Sequence, residues 1–331
     1  MKLGFIYAGQ GSQKVGMGQD FYEAYPLFRQ TVDRASEYVK DVTDFDVKDY
    51  CFNGPMEKLS QTRYTQPCMV SFAVGITKLL KEERILPEYV CGLSLGEYSA
   101  LYAADVLDEK EVLNLVAFRG KAMEEAVTGR EVKMAAVLMM DREVIQECCQ
   151  KASCRRDGSS VLTDEDAPKV YIANYNCPGQ IVISGDASAV DEAVALLKEA
   201  GARKIVPLAV SGPFHTPLMK PAGDQLRERF QTVDFKAPTA QVIFNATGKP
   251  MQEGESFAGL LETQVQSSVY LEDSIRYMET QGVDTIVEIG PGSAISKFVK
   301  KTAPQISVMS IDSVEDYKKV LENLKEEAYV K

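Results

Sequence analysis

A serine held between two glycines, Gly92-Leu93-Ser94-Leu95-Gly96, follows the short apolar run 89–92 and precedes a helical pattern over 95–104. A strand that turns this sharply into a helix fits an α/β sheet, the class that the alternation of short apolar runs with helical patterns along the chain favours. In such a nucleophile elbow the turn exposes the serine hydroxyl and the flanking glycines permit close packing. The helix behind it supplies main-chain N–H groups and the positive end of a dipole where an oxyanion would form. The pentapeptide alone is short enough to arise by chance, and an ordinary glycine-rich turn is the competing reading.

The rest of the chain keeps to the same alternation. Residues 3–7 read as a first strand entering the turn Gly9-Gln10-Gly11-Ser12-Gln13. Pro26 suits a first helical turn, with Phe28, Val32, Ala35 and Val39 on one stripe, and Pro67 is expected to open another helix. Asp108 followed by Glu111 resembles a capping box, opening a helix to about 126 whose inward stripe is Val112, Val116, Arg119 and Met123. Arg119 stands where an apolar residue belongs. Over 133–208 a strand (134–140), a helix (141–152), two strands (170–175, 180–184), a helix (187–200) and a strand (204–208) make the βαββαβ, ferredoxin-like order. Residues 155–167, polar and rich in Gly, Ser and Asp, read as a loop. The expected fold is therefore α/β: a parallel-sheet core from 1–132 and 209–331, with 133–208 inserted as a small ferredoxin-like subdomain.

Composition narrows the chemistry. The 331 residues, 45% hydrophobic and 26% charged, suit a soluble globular protein of one large or two medium domains. No apolar run reaches the ~18 residues of a membrane span. The opening MKLGFIYAGQGSQ is unlike a signal or transit peptide, so a cytoplasmic address is expected. Cysteines at 51, 68, 91, 148, 149, 154 and 177 include no CxxC pair and read as free thiols. One histidine excludes multi-His metal sites, and no metal is expected. A net charge of −11 argues against a nucleic-acid partner.

A serine nucleophile needs a base, and His215 is the only imidazole in the chain. It lies in Val210-Ser211-Gly212-Pro213-Phe214-His215-Thr216-Pro217, after a predicted strand, with Thr216 and Pro217 resembling a cap and first turn. A hydrogen-bonded turn histidine is the bland alternative. No second histidine follows over 216–331, which disfavours an ordinary hydrolase triad with a late His. Arg119, on a core-facing stripe, must find an anion: either an internal carboxylate or the carboxylate of a substrate, which its planar fork suits. The Gly9–Gln13 turn is not a dinucleotide fingerprint, because Lys14 stands at the third glycine, and no Gly-Lys-Ser/Thr makes it a P-loop. What fits is a loop whose backbone and Gln10 side chain reach toward the serine.

Taken in order, Gly9-Gln10-Gly11-Ser12-Gln13, Thr65-Gln66-Pro67, Gly92-Leu93-Ser94-Leu95-Gly96-Glu97, Arg119-Gly120, Asn174-Tyr175-Asn176 with Gln180, Gly212-Pro213-Phe214-His215 and Glu288-Ile289-Gly290-Pro291-Gly292 resemble the malonyl-CoA:acyl carrier protein transacylases, the acyltransferase family of fatty-acid and polyketide synthesis. The resemblance spans nearly the whole chain. It implies a hydrolase-like core with a ferredoxin-like subdomain and the site between them. It implies Ser94 as nucleophile, His215 as base and then acid, an oxyanion hole from the Leu95 N–H and the Gln10 main chain, and Arg119 on the malonyl carboxylate. A main-chain carbonyl, at the position of Gln264, would orient the histidine in place of an aspartate. Leu93, Phe214 and Asn176 would line the substrate pocket, and the Phe214 ring would disfavour an α-methyl group. The implied substrate is malonyl-CoA, the partner is acyl carrier protein bearing phosphopantetheine, and no further cofactor is required. The enzyme is expected to be a monomer, with Arg203, Lys204, Lys297, Lys300 and Lys301 either contacting an acidic carrier or simply solvated. One departure is Leu93, where the family usually has His, and Ala8, where proline is common, is a smaller one. A polyketide-serving acyltransferase, a serine thioester hydrolase and a non-catalytic acyl-CoA-binding module are the rival readings.

Overall fold

Leu3–Tyr7 is buried at all five positions, so both faces of this strand must be covered. The computed structural model describes residues 1–153, 168–208 and 212–329. The loop expected at 155–167 lies outside the described residues, as do Cys154, Val210 and Ser211. In chain order the strands are β1 (Leu3–Tyr7), β2 (Tyr89–Gly92), β3 (Val132–Leu138), β4 (Val170–Cys177), β5 (Gln180–Asp186), β6 (Lys204–Leu208), β7 (Gln241–Val242), β8 (Val269–Tyr270), β9 (Thr285–Ile289) and β10 (Ser307–Ile311).

The first sheet runs β10-β9-β1-β2-β7 and is parallel throughout. Side chains alternate across β1. Leu3, Phe5 and Tyr7 enter a core shared with the helices Pro26–Val39, Thr62–Glu82 and Glu109–Glu125. Ile6 enters an opposite core with the helices Leu271–Thr280 and Ala294–Thr302. The Tyr7 hydroxyl, buried deep in the first core, is satisfied by Thr77 Oγ1 at 2.9 Å.

The second sheet runs β6-β3-β5-β4-β8. Its first four strands have the ferredoxin-like arrangement, antiparallel, with helices Arg142–Ala152 and Ala187–Glu199 on one face. β8, from the later part of the chain, adds to the β4 edge in parallel and binds the two sheets' segments together. The face away from the two helices turns Met134, Ala136 and Val182 into the main core. Among the described residues six cysteines are free thiols, and no helix is long and apolar enough to cross a membrane.

Two local expectations need correction. Pro67 does not open a helix but lies inside Thr62–Glu82. It removes one hydrogen bond near the helix start, which burial of the long apolar face outweighs. Thr216 and Pro217 do stand at the cap and first position of a turn, but it is a 3₁₀ turn (Pro217–Met219) ahead of the helix Lys220–Phe230, and the Thr216 hydroxyl donates to the Pro213 carbonyl at 2.6 Å instead of capping. The strand before His215 is β6, on the edge of the second sheet, as the βαββαβ order expects.

The elbow leaves no room for side chains at its glycines. A Cβ on Gly92 would lie 2.0 Å from the Gly96 carbonyl carbon, and one on Gly96 would lie 2.2 Å from the Tyr7 carbonyl oxygen. Both obstacles are backbone and cannot swing aside. Gly96→Ala should therefore cost about 2 kcal/mol or more of stability, measured by denaturant unfolding. An unchanged unfolding midpoint would contradict this packing.

Candidate active site

Ser94 sits at φ +54° in the turn between β2 and the helix Gly96–Ala103. A non-glycine residue holds this left-handed conformation only when its surroundings impose it. Asn245 supplies much of that constraint. Its Oδ1 accepts from the Ser94 N–H at 2.7 Å, and its Nδ2 donates to the Gly92 carbonyl at 2.7 Å. The side chain thus braces the turn on both sides of Leu93. The Asn245 N–H in turn donates to Glu97 Oε2 at 2.5 Å.

His215 is also left-handed, at φ +60°. Its Nδ1 is 2.8 Å from the Gln264 carbonyl oxygen, and its Nε2 is 2.6 Å from Ser94 Oγ. A carbonyl can only accept, so Nδ1 carries the proton and Nε2 is left to accept from the serine hydroxyl. Burial, then the positive charge of Arg119, push the imidazole down to about 4, only partly offset by the Gln264 carbonyl. At neutral pH the ring is in its proton-accepting form.

Arg119 is 1% exposed, and it has found no internal carboxylate among the described residues. Its Nη2 donates to Ser94 Oγ at 3.2 Å and to Gln264 Oε1 at 3.0 Å, its Nε has no partner there, and it lies 5.3 Å from the Tyr98 ring centre. Burial pulls its pKa below the usual guanidinium value, though arginine stays charged at neutral pH. Glu97 does not balance that charge well, because burial pushes its carboxyl up to about 8 against the pull of the Asn245 N–H and Arg119. The site therefore holds a buried cation that forms no ion pair with a carboxylate among the described residues.

These groups open on a cavity of about 530 Å³ between the carboxyl end of β1 and β2 and the inner face of the second sheet. Ser94, His215, Arg119, Leu93, Phe214 and Asn176 all reach its wall. The Asn176 Oδ1, buried there, has no hydrogen-bond partner among the described residues. Gln264, fully buried, stands behind the histidine rather than on the wall. Gln10 lines the cavity, but its amide does not reach for the serine: Nε2 donates to Thr62 Oγ1 at 3.1 Å. That corrects the expectation of a side-chain donor. The main-chain N–H groups of Gln10 and Leu95 have no hydrogen-bond partner among the described residues, which leaves them available as donors. Leu95's side chain is in the core.

Sequence reasoning assigned nothing to Asn245 and gave Glu97 no role beyond its motif. Glu97 carried a usable signal, an acid in the otherwise apolar helix Gly96–Ala103. Asn245, three residues past a two-residue strand, carried almost none.

The chain matches the acyl transferase domain family over residues 4–329, and it belongs to that family. Among its relatives, the malonyl CoA-acyl carrier protein transacylase of Bacillus subtilis (strain 168) is 38% identical over 326 residues, 98% of either chain. The crystal structure of MCAT from Streptococcus pneumoniae is 43% identical and superposes with a TM-score of 0.88 over 97% of this chain and all of that one. A malonyl-transacylase solved in complex with its type II PKS acyl-carrier protein is 33% identical, with a TM-score of 0.88 over 98% of this chain and 100% of that one.

Because His215 is the only histidine, its imidazole resonance reports the site directly by NMR. The folded-state value of about 4 lies below the ordinary 6.5, so the neutral ring persists as pH falls and is lost only on passing through about 4. The unfolded chain takes up this proton earlier, so this group weakens folding increasingly as pH falls from about 6.5 and by its full amount below about 4. No titration should appear from about pH 8 to about 5.5; a midpoint near 6.5 would contradict the buried, cation-flanked position.

Proposed function

We propose that this chain transfers a malonyl group from malonyl-CoA to the pantetheine thiol of an acyl carrier protein through an ester on Ser94. One observation carries the reading. The hydroxyl that donates to the imidazole also accepts from a buried guanidinium in the same cavity, one that forms no ion pair among the described residues. A hydrolase of neutral acyl chains has no use for that cation, whereas a malonyl group brings the anion it lacks.

In the first half-reaction Ser94 Oγ attacks the thioester carbon while its proton passes to His215 Nε2. The negative charge that develops on the carbonyl oxygen meets the free N–H groups of Leu95 and Gln10. The C–S bond breaks, the sulfur of CoA takes the proton from Nε2, and CoA leaves. The carrier thiol then gives its proton to Nε2 and attacks the ester, and Ser94 recovers its hydrogen, giving ping-pong kinetics. Each half-reaction exchanges one acyl bond for another of similar kind, so no oxidant, nucleotide or metal enters the balance. The malonyl carboxylate also offsets the Arg119 charge that depresses the histidine, making the base stronger when the correct substrate is bound.

In this reading 1–132 and 209–331 form the acyl-transfer core, and 133–208 is the insert that walls the cavity with Asn176. Leu93 in place of the usual histidine leaves an apolar wall beside the nucleophile, and the Phe214 ring limits space beside the acyl α-carbon. Lys297 and Lys301 are exposed on the helix Ala294–Thr302, whose Phe298 lines the cavity, which suits an acidic carrier. The same chemistry serves fatty-acid and polyketide carriers. A fatty-acid carrier is the first reading of the partner, and the related malonyl-transacylase solved with its type II PKS acyl-carrier protein supports a polyketide carrier as the second.

Intact-protein mass spectrometry after mixing with malonyl-CoA should show one malonyl addition that Ser94→Ala abolishes; an adduct that survives the substitution contradicts the mechanism. Arg119→Ala should lower malonyl transfer by tens to thousands of fold, the equivalent of about 2–5 kcal/mol for a lost buried charge partner. Acetyl transfer should be spared. Undiminished malonyl transfer would remove Arg119 from the substrate.

A further inference from the structure

We propose that the Gln264 side chain is a neutral anchor that aims the Arg119 guanidinium at the acyl carboxylate and ties that aim to the nucleophile turn. The inference rests on the malonyl-transfer reading and adds a specificity-determining residue to it. Gln264 lies at the end of the helix Phe257–Gln266 and is fully buried. Three of its polar atoms enter the site. The main-chain oxygen accepts from His215 Nδ1 at 2.8 Å, Oε1 accepts from Arg119 Nη2 at 3.0 Å, and Nε2 donates to the Ser94 carbonyl at 2.7 Å. One residue therefore touches the base, the cation and the nucleophile's backbone.

The side-chain contacts do work that the main-chain contact does not. Among the described residues the guanidinium donates at 3.0–3.2 Å to Ser94 Oγ and Gln264 Oε1, and the Tyr98 phenol beside it also favours its charge. On acylation Oγ becomes an ester oxygen, a poorer acceptor, and the Gln264 amide is left as the close, well-aligned acceptor that orients the cation beside the Tyr98 ring. An amide suits this task because it fixes direction without cancelling charge. A carboxylate at the same position would form an ion pair and satisfy the guanidinium internally, leaving nothing for the substrate. The second amide bond, to the Ser94 carbonyl, sets the distance between the cation and the elbow. An amide this deep is costly unless bonded, and both of its ends are bonded.

Because the contact to His215 uses the main chain, substitution separates the two roles. The experiment measures kcat/KM for malonyl-CoA and for acetyl-CoA, with one carrier protein, in the wild type, Gln264→Glu, Gln264→Met, Arg119→Ala and both double variants. Gln264→Glu, nearly isosteric and therefore the variant that decides if the Met form fails to fold, should lower the malonyl-to-acetyl ratio at least about tenfold. Gln264→Met should lower it at least about fivefold, with a raised KM for malonyl-CoA. In the Arg119→Ala background neither substitution should change the ratio by more than about twofold, because the anchor has nothing left to aim. A purely structural role would depress both substrates together and leave the ratio alone. The anchor is overturned if both single variants keep the wild-type ratio, or if the ratio falls equally without Arg119. A wild type with no malonyl preference would instead overturn the functional reading on which the anchor rests.

Discussion

A serine hydroxyl at neutral pH is a poor nucleophile until something takes its proton, and here that something is 2.6 Å away across 121 residues of sequence. Everything else in the site serves this contact. The Gln264 carbonyl fixes which ring nitrogen carries hydrogen, the Asn245 amide holds the turn that presents the hydroxyl, and burial keeps the imidazole unprotonated. Of the five described non-glycine residues with positive φ, two are Ser94 and His215. Both members of the reacting pair thus carry backbone strain, which packing on all sides can hold.

The two sheets explain why the pair meets inside a cavity. Parallel strands deliver Ser94 and the Gly9–Gln13 turn to one rim, and the second sheet lies opposite with Asn174 and Asn176 facing inward. His215 arrives from the edge of that second sheet, so the base and the nucleophile come from different layers. A small shift between layers would stretch their bond. β8, which belongs to the core's stretch of chain yet pairs with β4, resists such a shift. The Arg119 charge completes the design: it gives the cavity a preference for anionic acyl groups while lowering the basicity of the histidine until such a group binds.

Much of this was legible in the sequence, for reasons that are local. The strand–turn–helix around Ser94 and the βαββαβ order declare themselves through glycine spacing and hydrophobic periods, which depend on near neighbours alone. Arg119 was legible because a charge interrupts an apolar stripe. Asn245 was not, since a polar residue past a two-residue strand looks like any surface loop until the fold folds it under the elbow. The Gln264 side chain was invisible for the same reason, and the resemblance pointed only to its backbone. Pro67 misled because proline's usual place at a helix start was outweighed by a long buried helix face. The Gln10 amide, expected at the serine, is taken by Thr62, a pairing that only tertiary structure creates.

The central claim is that hydroxyl, imidazole and guanidinium act on one acyl group in one cavity. A crystal structure of the chain trapped after reaction with malonyl-CoA tests it most directly. The account predicts an ester on Ser94 Oγ, its carboxylate on the Arg119 guanidinium and its carbonyl oxygen toward the Leu95 and Gln10 N–H groups. An acyl group attached elsewhere, or a carboxylate directed away from Arg119 into solvent, would contradict it.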